Sequence, residues 1–191
     1  MCQGHTPPIE PVSLKLAVGM DVSSELFDVV DSNDVVLGQL PRGEVHARGL
    51  LHRAVSIFVF NSAGELLVHR RSATKDQFPS LYTSSASGHV AAGESYDETA
   101  PRELYEELGL CVPVRFLNKF AASAETANEH TALYEARTDD LPRPDPAEIA
   151  SIVWWSLEET AGRVAAHPGE FTPPFRVLLN WYVGQRSARR P

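Results

Sequence analysis

Residues 88–110 read GHVAAGESYDETAPRELYEELGL, and this stretch decides the fold and the chemistry that the chain predicts. A helix over residues 97–108 places Glu103 three and four residues before Glu106 and Glu107, so the three carboxylates share one flank. Gly109 suits the left-handed position just past a helix end. Two acids in the last turn face the negative end of the helix dipole, which costs ~0.3–1 kcal/mol each. Because carboxylate oxygens are the ligands that Mg²⁺ or Mn²⁺ prefers, the stretch predicts a metal-binding helix.

The start of this helix is open to two interpretations. Ser95 and Glu98 have the spacing of a capping box. A start at Ser95 would place Pro101 well inside the helix, where proline lacks an amide hydrogen and clashes with the carbonyl four residues earlier. We therefore expect regular helix to begin between residues 97 and 99, or to kink at Pro101.

The spacing within the stretch carries a family resemblance. Gly88, five residues, Glu94, seven residues and then RELYEELGL from residue 102 resembles the Nudix box at every defined position. The alternative, that an acidic helix is only a solvated face, does not account for the flanking residues. The resemblance implies that catalytic Mg²⁺ is held by Glu103, Glu106 and Glu107, and that the loop beginning at Gly88 is tied to the helix by an ion pair between Glu94 and Arg102.

Length, composition and charge limit the class of protein. The 191 residues are 43% hydrophobic and 22% charged, which fits one compact domain with a full core. A formal charge of −8 argues against a broad nucleic-acid or membrane surface, although a local basic pocket remains open. Two cysteines are too few for a disulfide scaffold, and the chain shows neither a spanning apolar run nor a secretory pattern. We expect a soluble cytoplasmic protein.

The pattern along the chain predicts strands mixed with a few helices. We expect an extended leader over residues 1–24, a domain over residues 25–186 and a tail over residues 187–191. This is an α/β fold, and the resemblance implies a Nudix-type α/β/α sandwich with a mixed central sheet. The expected hairpins are 25–30 with 35–39 and 54–60 with 65–70; the further strands are 82–88, 113–122, 130–137 and 152–156; the further helices are 157–166 and 175–186.

Residues 27–90 sharpen the resemblance. The stretch FDVVDSNDVVLGQLPRGEVHARGLLHRAVSIFVFNSAGELLVHRRSATKDQFPSLYTSSASGHV looks like the isopentenyl diphosphate isomerase-like branch of the Nudix family. In those isomerases a cysteine moves the proton at the allylic carbon, and Ser87 occupies its position here; a serine hydroxyl is a poor acid and base for that task. The isomerases also keep mainly the acid matching Glu107. The complete acid set therefore favours a hydrolase.

The same resemblance implies further site residues. Arg71 and Lys75 match basic residues that grip the diphosphate, unless they are ordinary solvated charges. A second metal site, suited to a transition metal or Mn²⁺, would be formed by His46, His52, His89 and Glu129. The match is imperfect because the first two histidines are spaced differently and Ala127 replaces a second acid. Glu129 or Glu125 could instead be a general base outside the box, as could Glu106 or Glu107 within it.

These observations predict a Mg²⁺-dependent hydrolase, with Mn²⁺ as an alternative metal, that cleaves a phosphoanhydride bond in a diphosphate-containing small molecule. A nucleoside di- or triphosphate, a nucleotide sugar or an isoprenoid diphosphate would fit. Two alternatives stay open: isopentenyl diphosphate isomerisation and a non-catalytic nucleotide-binding module. Trp154, Trp155 and Trp181 can serve the core or a homodimer interface.

Overall fold

The computed structural model describes residues 25–188, so the predicted leader and the last three residues lie outside the described part of the chain. Within residues 25–188, no helix is long and apolar enough to cross a membrane. The strands are β1 (Leu26–Val30), β2 (Val36–Pro41), β3 (His52–Phe60), β4 (Glu65–Arg71), β5 (Tyr82–Thr83), β6 (Ala86–His89), β7 (Arg115–Phe120), β8 (Glu129–Arg137) and β9 (Ile149–Ser156). The helices are α1 (Arg42–Ala47), α2 (Tyr96–Leu108), α3 (Leu157–Ala166) and α4 (Pro173–Ala188).

The main sheet is mixed and is organised around β3. This strand runs parallel to β8 along its whole length, from His52 opposite Glu129 to Phe60 opposite Arg137. The outer strand β7 is antiparallel to β8, and β9 is antiparallel to β4 on the other side. The first predicted hairpin, β1 with β2, forms a separate two-stranded sheet.

Alternation along β3 gives the sheet two buried faces. Val55, Ile57 and Val59 belong to one hydrophobic cluster, which includes Leu104 of α2. Phe58 and Phe60 belong to a second cluster with side chains of α3 and α4. Because successive side chains of a strand point to opposite faces, one nearly continuous apolar run serves both cores. The predicted α/β/α sandwich with a mixed central sheet is confirmed.

The second predicted hairpin is correct only at its turn. β3 and β4 pair at Phe60 and Leu66 and then diverge. The segment that carries β5 and β6 fills the gap, with β5 on β4 and β6 on β3. The buried Ser85 joins the two sides, because its hydroxyl accepts from the Val59 amide at 2.8 Å and donates to the Leu67 carbonyl at 2.6 Å. This insertion places residues 86–89 in contact with α2.

The helix α2 begins earlier than expected. Ser95 is its N-cap, and the capping box forms: the Glu98 amide donates to the Ser95 hydroxyl at 3.3 Å, and the Ser95 amide donates to the Glu98 carboxylate at 3.0 Å. The expectation that Pro101 delays the helix to residues 97–99 is wrong. Pro101 is exposed and removes only the hydrogen bond that would reach the first helical turn, while the box satisfies two amides there.

Other element ends also differ from the sequence reading. Gly109 ends α2 in the left-handed conformation, with a φ of 65°, as expected. The helix α4 continues to Ala188, two residues past the predicted end. The helix α1 is not predicted at all, since it has six residues, includes Gly43 and shows no sustained period.

Replacing Ser85 with alanine tests the join between β3 and β4. The change leaves the buried Val59 amide without its hydrogen-bond partner, so we expect a loss of about 1–3 kcal/mol in the free energy of unfolding, measured by urea denaturation. Ser62→Ala, at an exposed turn residue, is the matched control and should change little. Equal stabilities of the two variants would contradict the role given to Ser85.

Candidate active site

A cleft of about 490 Å³ lies between α2, β6 and the loop that joins β4 to β5. Its lining includes the acidic side chains of α2, named the acidic wall, and the basic side chains Arg42 of α1, Arg71 at the end of β4 and Lys75 of the following loop, named the basic wall. The predicted site residues that line it are Arg71, Lys75, Gly88, His89, Arg102, Glu103, Glu106, Glu107 and Glu129; Arg42, Ser87 and Glu148 line it as well.

Two carboxylates of α2, those of Glu103 and Glu107, contact the strand β6. A Cβ atom at Gly88 would lie 2.0 Å from the Glu103 carboxyl carbon, so only glycine leaves room for this side chain. The neighbouring Ser87 amide donates to the Glu107 carboxylate at 3.0 Å. Gly88 leaves space for the Glu103 carboxylate, and the Ser87 amide binds the Glu107 carboxylate. Both acids are therefore held against β6.

Arg102 ties the remaining box residues together. Its guanidinium donates two hydrogen bonds to the Glu94 carboxylate, at 2.9 and 2.8 Å. The same side chain reaches Glu103 at 2.7 Å and Glu106 at 2.9 Å through Nη1. The planar fork can hold several carboxylates at fixed angles, which a lysine ammonium cannot do. The structure thus brings together the residues predicted to form the loop-to-helix ion pair.

Burial changes the acidity of two box carboxyls. Desolvation raises the pKa of Glu103 to about 7, although Arg102 opposes this shift. Desolvation also raises the pKa of Glu107 well above its usual range, and the charge of Glu103 adds to the effect. Holding such charges in a dry site is unfavourable unless a cation compensates them.

The three box carboxylates do not form a compact ligand set in this geometry. Among residues 25–188, His46, His52 and His89 are the group whose ligand atoms all lie within 4.8 Å of one another. Glu103 and Glu106 instead share Arg102, and Glu107 holds the Ser87 amide. The carboxylates repel one another, and the Arg102 guanidinium alone does not gather all three. The Glu106 side chain is 55% exposed, so it can rotate towards a shared cation.

The three histidines form a cluster that the sheet assembles. His52 faces Glu129 in the β3–β8 register, and His89 faces Ala54 two residues along β3. Their rings are 5.2 Å apart, and the His46 ring lies 5.1 Å from each. His52 donates from Nδ1 to the Leu50 carbonyl at 2.9 Å if that nitrogen carries the proton. The Nε2 atoms of His46 and His52 are buried without a hydrogen-bond partner among the described residues.

Burial favours the neutral form of the three imidazoles in the cluster. Burial lowers the pKa of His52 to about 4 and that of His89 to about 3, and it lowers the pKa of His46 as well. Glu129 lies 3.1 Å from His89 Nε2 and 3.7 Å from His52 Nε2, and burial raises its pKa to about 7. Neutral imidazoles with unpartnered nitrogens are the form in which histidine binds metals.

The structure distinguishes Glu125 from Glu129, the two acids outside the box that were predicted as a possible general base. Glu125 is exposed on a short 3-10 turn, Ala124–Thr126, and does not line the cleft, so its position does not support a role as base. Ala127 has a φ of 57° and offers only a methyl group where the isomerase-like pattern has an acid.

The basic residues of the cleft are paired with protein groups. Arg71 donates to the Gln77 carbonyl at 3.1 Å, and burial lowers the pKa of its guanidinium. Lys75 forms an ion pair with Glu148. Arg42 and Glu148 were not predicted. Arg42 lies on a helix that is too short to show a period, and Glu148 lies in a loop where an acid carries no distinctive signal.

Gly88→Ala should displace the Glu103 carboxylate and leave the fold intact, because the crowded atoms are the flexible end of a side chain. We expect affinity for Mg²⁺, which prefers the oxygen donors of the box to the histidines, to fall by about 10-fold or more in titration calorimetry, with a change in stability of about 1 kcal/mol or less. The control is Gly38→Ala, where an added Cβ meets no atom within 4 Å. Unchanged Mg²⁺ affinity in Gly88→Ala would refute this role of the close approach.

The raised pKa of Glu103 predicts a pH-dependent stability in the absence of metal. The carboxyl titrates near 7 in the folded chain and near 4.5 when exposed, so the folded state binds the proton more tightly. Its contribution is full below the unfolded value and is lost as pH rises through about 7. Glu103→Gln should therefore be more stable than the parent at about pH 8 in EDTA, by no more than about 3 kcal/mol, and should differ less at about pH 5.

Urea unfolding at the two pH values measures the difference. Glu158→Gln, an exposed acid on α3, is the control and should leave the stability unchanged at both. A Glu103→Gln protein that is less stable than the parent at about pH 8 would contradict the unfavourable burial of this charge.

Comparison with known proteins identifies the family. The NUDIX domain family model matches residues 50–175. An uncharacterised Nudix hydrolase of Streptomyces coelicolor is 40% identical over 157 residues, covering 81% of this chain and 86% of that protein. A prenyl-diphosphate phosphatase of Methanosarcina mazei is 36% identical over 155 residues, covering 79% and 91%. An isopentenyl-diphosphate Delta-isomerase of Nocardia farcinica is 34% identical over 159 residues, covering 80% and 91%.

The fold agrees with the sequence relatives. The crystal structure of DR0079 from Deinococcus radiodurans matches with a TM-score of 0.68 and 34% identity, covering 74% of this chain and 90% of that one. By sequence and by fold, the chain belongs to the Nudix hydrolase family.

Proposed function

We propose that the protein is a Mg²⁺-dependent hydrolase that cleaves a phosphoanhydride bond in a diphosphate-containing small molecule. The observation that carries this proposal is that one cleft is lined both by the acidic wall on α2 and by the basic wall of Arg42, Arg71 and Lys75. A diphosphate with bound cations matches both walls, because its oxygens bind the metal and the basic side chains at once.

The box acids fit a hard divalent cation. Glu103, Glu106 and Glu107 supply oxygen donors only, and Gly88 leaves space in which the Glu103 carboxylate can lie. Magnesium held there would neutralise the charge of the diphosphate and lower the pKa of water, with Mn²⁺ as the alternative. Arg102 would keep Glu103 oriented, while the exposed Glu106 side chain would rotate from Arg102 towards the cation.

The basic wall would bind the diphosphate. Arg71 is half-buried and presents a planar fork, while Lys75 offers a point charge four residues later. Lys75 is paired with Glu148, so substrate phosphate would compete with this carboxylate for the ammonium group. The exchange replaces one ion pair by another, and the released Glu148 carboxylate is 35% exposed, so water can solvate it.

Three acids are candidates for the general base. Glu107 is engaged with the Ser87 amide, Glu106 is half-exposed, and Glu129 lies buried against His52 and His89. Each lines the cleft, so each can reach a water molecule there. Single glutamine variants of the three distinguish them by their effects on the maximal rate.

The histidine cluster fits a second cation. His46, His52 and His89 offer neutral nitrogens in a compact group, and two buried Nε2 atoms have no partner among residues 25–188. Glu129 adds an oxygen donor beside them. This donor set suits a transition metal or Mn²⁺ better than Mg²⁺.

Prenyl diphosphates are the first substrates to test within the proposed class. The Methanosarcina mazei relative is named a prenyl-diphosphate phosphatase. A prenyl diphosphate contains one phosphoanhydride bond, and its hydrolysis releases inorganic phosphate. Nucleoside diphosphates and triphosphates and nucleotide sugars complete the panel.

Isomerisation of isopentenyl diphosphate is the second candidate. The histidine cluster and the similarity to the Nocardia farcinica isomerase favour it. Ser87 counts against it, because a hydroxyl is a poor acid and base for proton transfer at carbon. A non-catalytic binding module does not explain why two acids are held unfavourably in a buried site.

Glu106→Gln tests the hydrolase. The variant removes one carboxylate charge from the acidic wall, so we expect Mg²⁺-dependent cleavage, measured by chromatography of the products, to fall about 100-fold or more on whichever substrate of the panel is cleaved. Glu158→Gln on the surface of α3 is the matched control and should retain the parent rate.

Unchanged turnover in Glu106→Gln would overturn the assignment. Conversion of isopentenyl diphosphate to its allylic isomer without released phosphate would instead support the isomerase. Absence of turnover on the whole panel, with Mg²⁺-dependent ligand binding, would support the binding module.

A further inference from the structure

Asp76 lies between α1 and the loop that joins β4 to β5. Its carboxylate receives a forked contact from Arg42 Nη2, at 3.1 Å to Oδ1 and 3.0 Å to Oδ2. The second oxygen also lies 3.6 Å from His46 Nδ1. Arg42 and His46 are four residues apart on α1 and so share one side of the helix. One carboxylate therefore faces a cation and a histidine of the proposed second metal site.

The two nitrogens of His46 face different surroundings. Nδ1 faces Asp76, whereas Nε2 is buried and has no hydrogen-bond partner among the described residues. A carboxylate opposite Nδ1 favours the tautomer that carries its proton there, and Nε2 then keeps a lone pair. Histidines that bind metals commonly donate their other N–H to a carboxylate or a carbonyl. His52 Nδ1 is within hydrogen-bond distance of an oxygen, the Leu50 carbonyl at 2.9 Å, whereas the 3.6 Å between His46 Nδ1 and Asp76 is longer than a hydrogen bond.

Basic groups and hydrogen-bond donors face the Asp76 carboxylate from two elements. Arg42 of α1 donates to both of its oxygens, and the Gln77 amide of its own loop donates to Oδ1 at 2.9 Å. His46 of α1 lies beside Oδ2.

Asp76 also belongs to the loop that carries Lys75. The loop is fixed at its start by the Ser72 amide, which donates to the Glu148 carbonyl at 2.9 Å. Phe78 and Ser80 within it have φ values of 48° and 63°, which are costly for residues other than glycine. Such a conformation needs external contacts to hold it, and the contact between Arg42 and Asp76 supplies one from α1.

We propose that Asp76 is a positioning residue that orients His46 towards a second cation and holds the Lys75 loop against α1, so that cation binding and the position of this loop are coupled. The inference rests on the second cation site of the proposed function. Because linkage is reciprocal, a cation that draws His46 Nε2 into ligation also fixes the residue next to Lys75.

The first test uses Co²⁺ alone as the probe. Cobalt bound by several imidazoles in low coordination absorbs visible light more strongly than cobalt among six oxygens, so absorption distinguishes the histidine cluster from the box. We expect Asp76→Ala to weaken binding at the strongly absorbing site about 10-fold or more, and Asp76→Asn to weaken it less, because an amide oxygen can still accept from Nδ1. Glu44→Gln, an exposed acid on α1 paired with Arg48, is the control and should bind as the parent does.

A double-mutant cycle separates positioning from a general effect on structure. If Asp76 acts through His46, its removal should cost little once His46 is replaced by alanine, so the effects of Asp76→Ala and His46→Ala should not add. Additive effects, an unchanged affinity in Asp76→Ala or absence of the strongly absorbing site in the parent would each overturn the proposal.

Hydrogen exchange tests the coupling. Co²⁺ should slow amide exchange over residues 72–81 in the parent, and this protection should be lost in Asp76→Ala. Equal protection in the two proteins would overturn the coupling. Neither measurement uses substrate. If Glu106→Gln abolishes hydrolysis but Asp76→Ala gives the same Co²⁺ affinity and protection as the parent, this inference fails and the hydrolase assignment stands.

Discussion

The contact between the Glu103 carboxylate and Gly88 is the constraint on which the site depends. An α-helix presents three acids on one flank, and a strand without a side chain at one position lets the helix approach closely enough to bury Glu107 and leave the Glu103 side chain only 13% exposed. Arg102 then holds Glu94, Glu103 and Glu106 together. Burial raises the pKa of both Glu103 and Glu107, so holding the two acids in their charged forms costs stability.

The divergence of β3 and β4 makes this contact available. A regular hairpin would leave no edge for β6, whereas the separated strands accept the segment that carries Ser85, Ser87 and Gly88. The Ser85 hydroxyl replaces ladder hydrogen bonds at the gap. Site geometry therefore depends on a break in regular pairing, which a polar side chain stabilises from inside the core.

The box acids and the histidine cluster come from separate elements. The acids come from one helix, but the histidines come from α1, β3 and β6, and Glu129 comes from β8. In the parallel pairing of β3 with β8, His52 lies opposite Glu129. In the antiparallel pairing of β3 with β6, Ala54 lies opposite His89. These two registers bring the residues together. Asp76 links this group to the loop of Lys75 through α1.

The sequence by itself determined what depends on local spacing: the acidic helix with Gly109 at its end, most strands, and the α/β/α architecture with buried runs such as residues 54–60. Periodicity and end signals act within a few residues, so they are legible without coordinates. The family resemblance, and no local pattern, grouped the three histidines with Glu129, and the tertiary structure brings them together. Only the tertiary structure decided that Asp76 faces both Arg42 and His46, and that Glu125 lies apart from the cleft. Those contacts join residues far apart in the chain through strand register and a six-residue helix, and neither leaves a repeating pattern in one sequence.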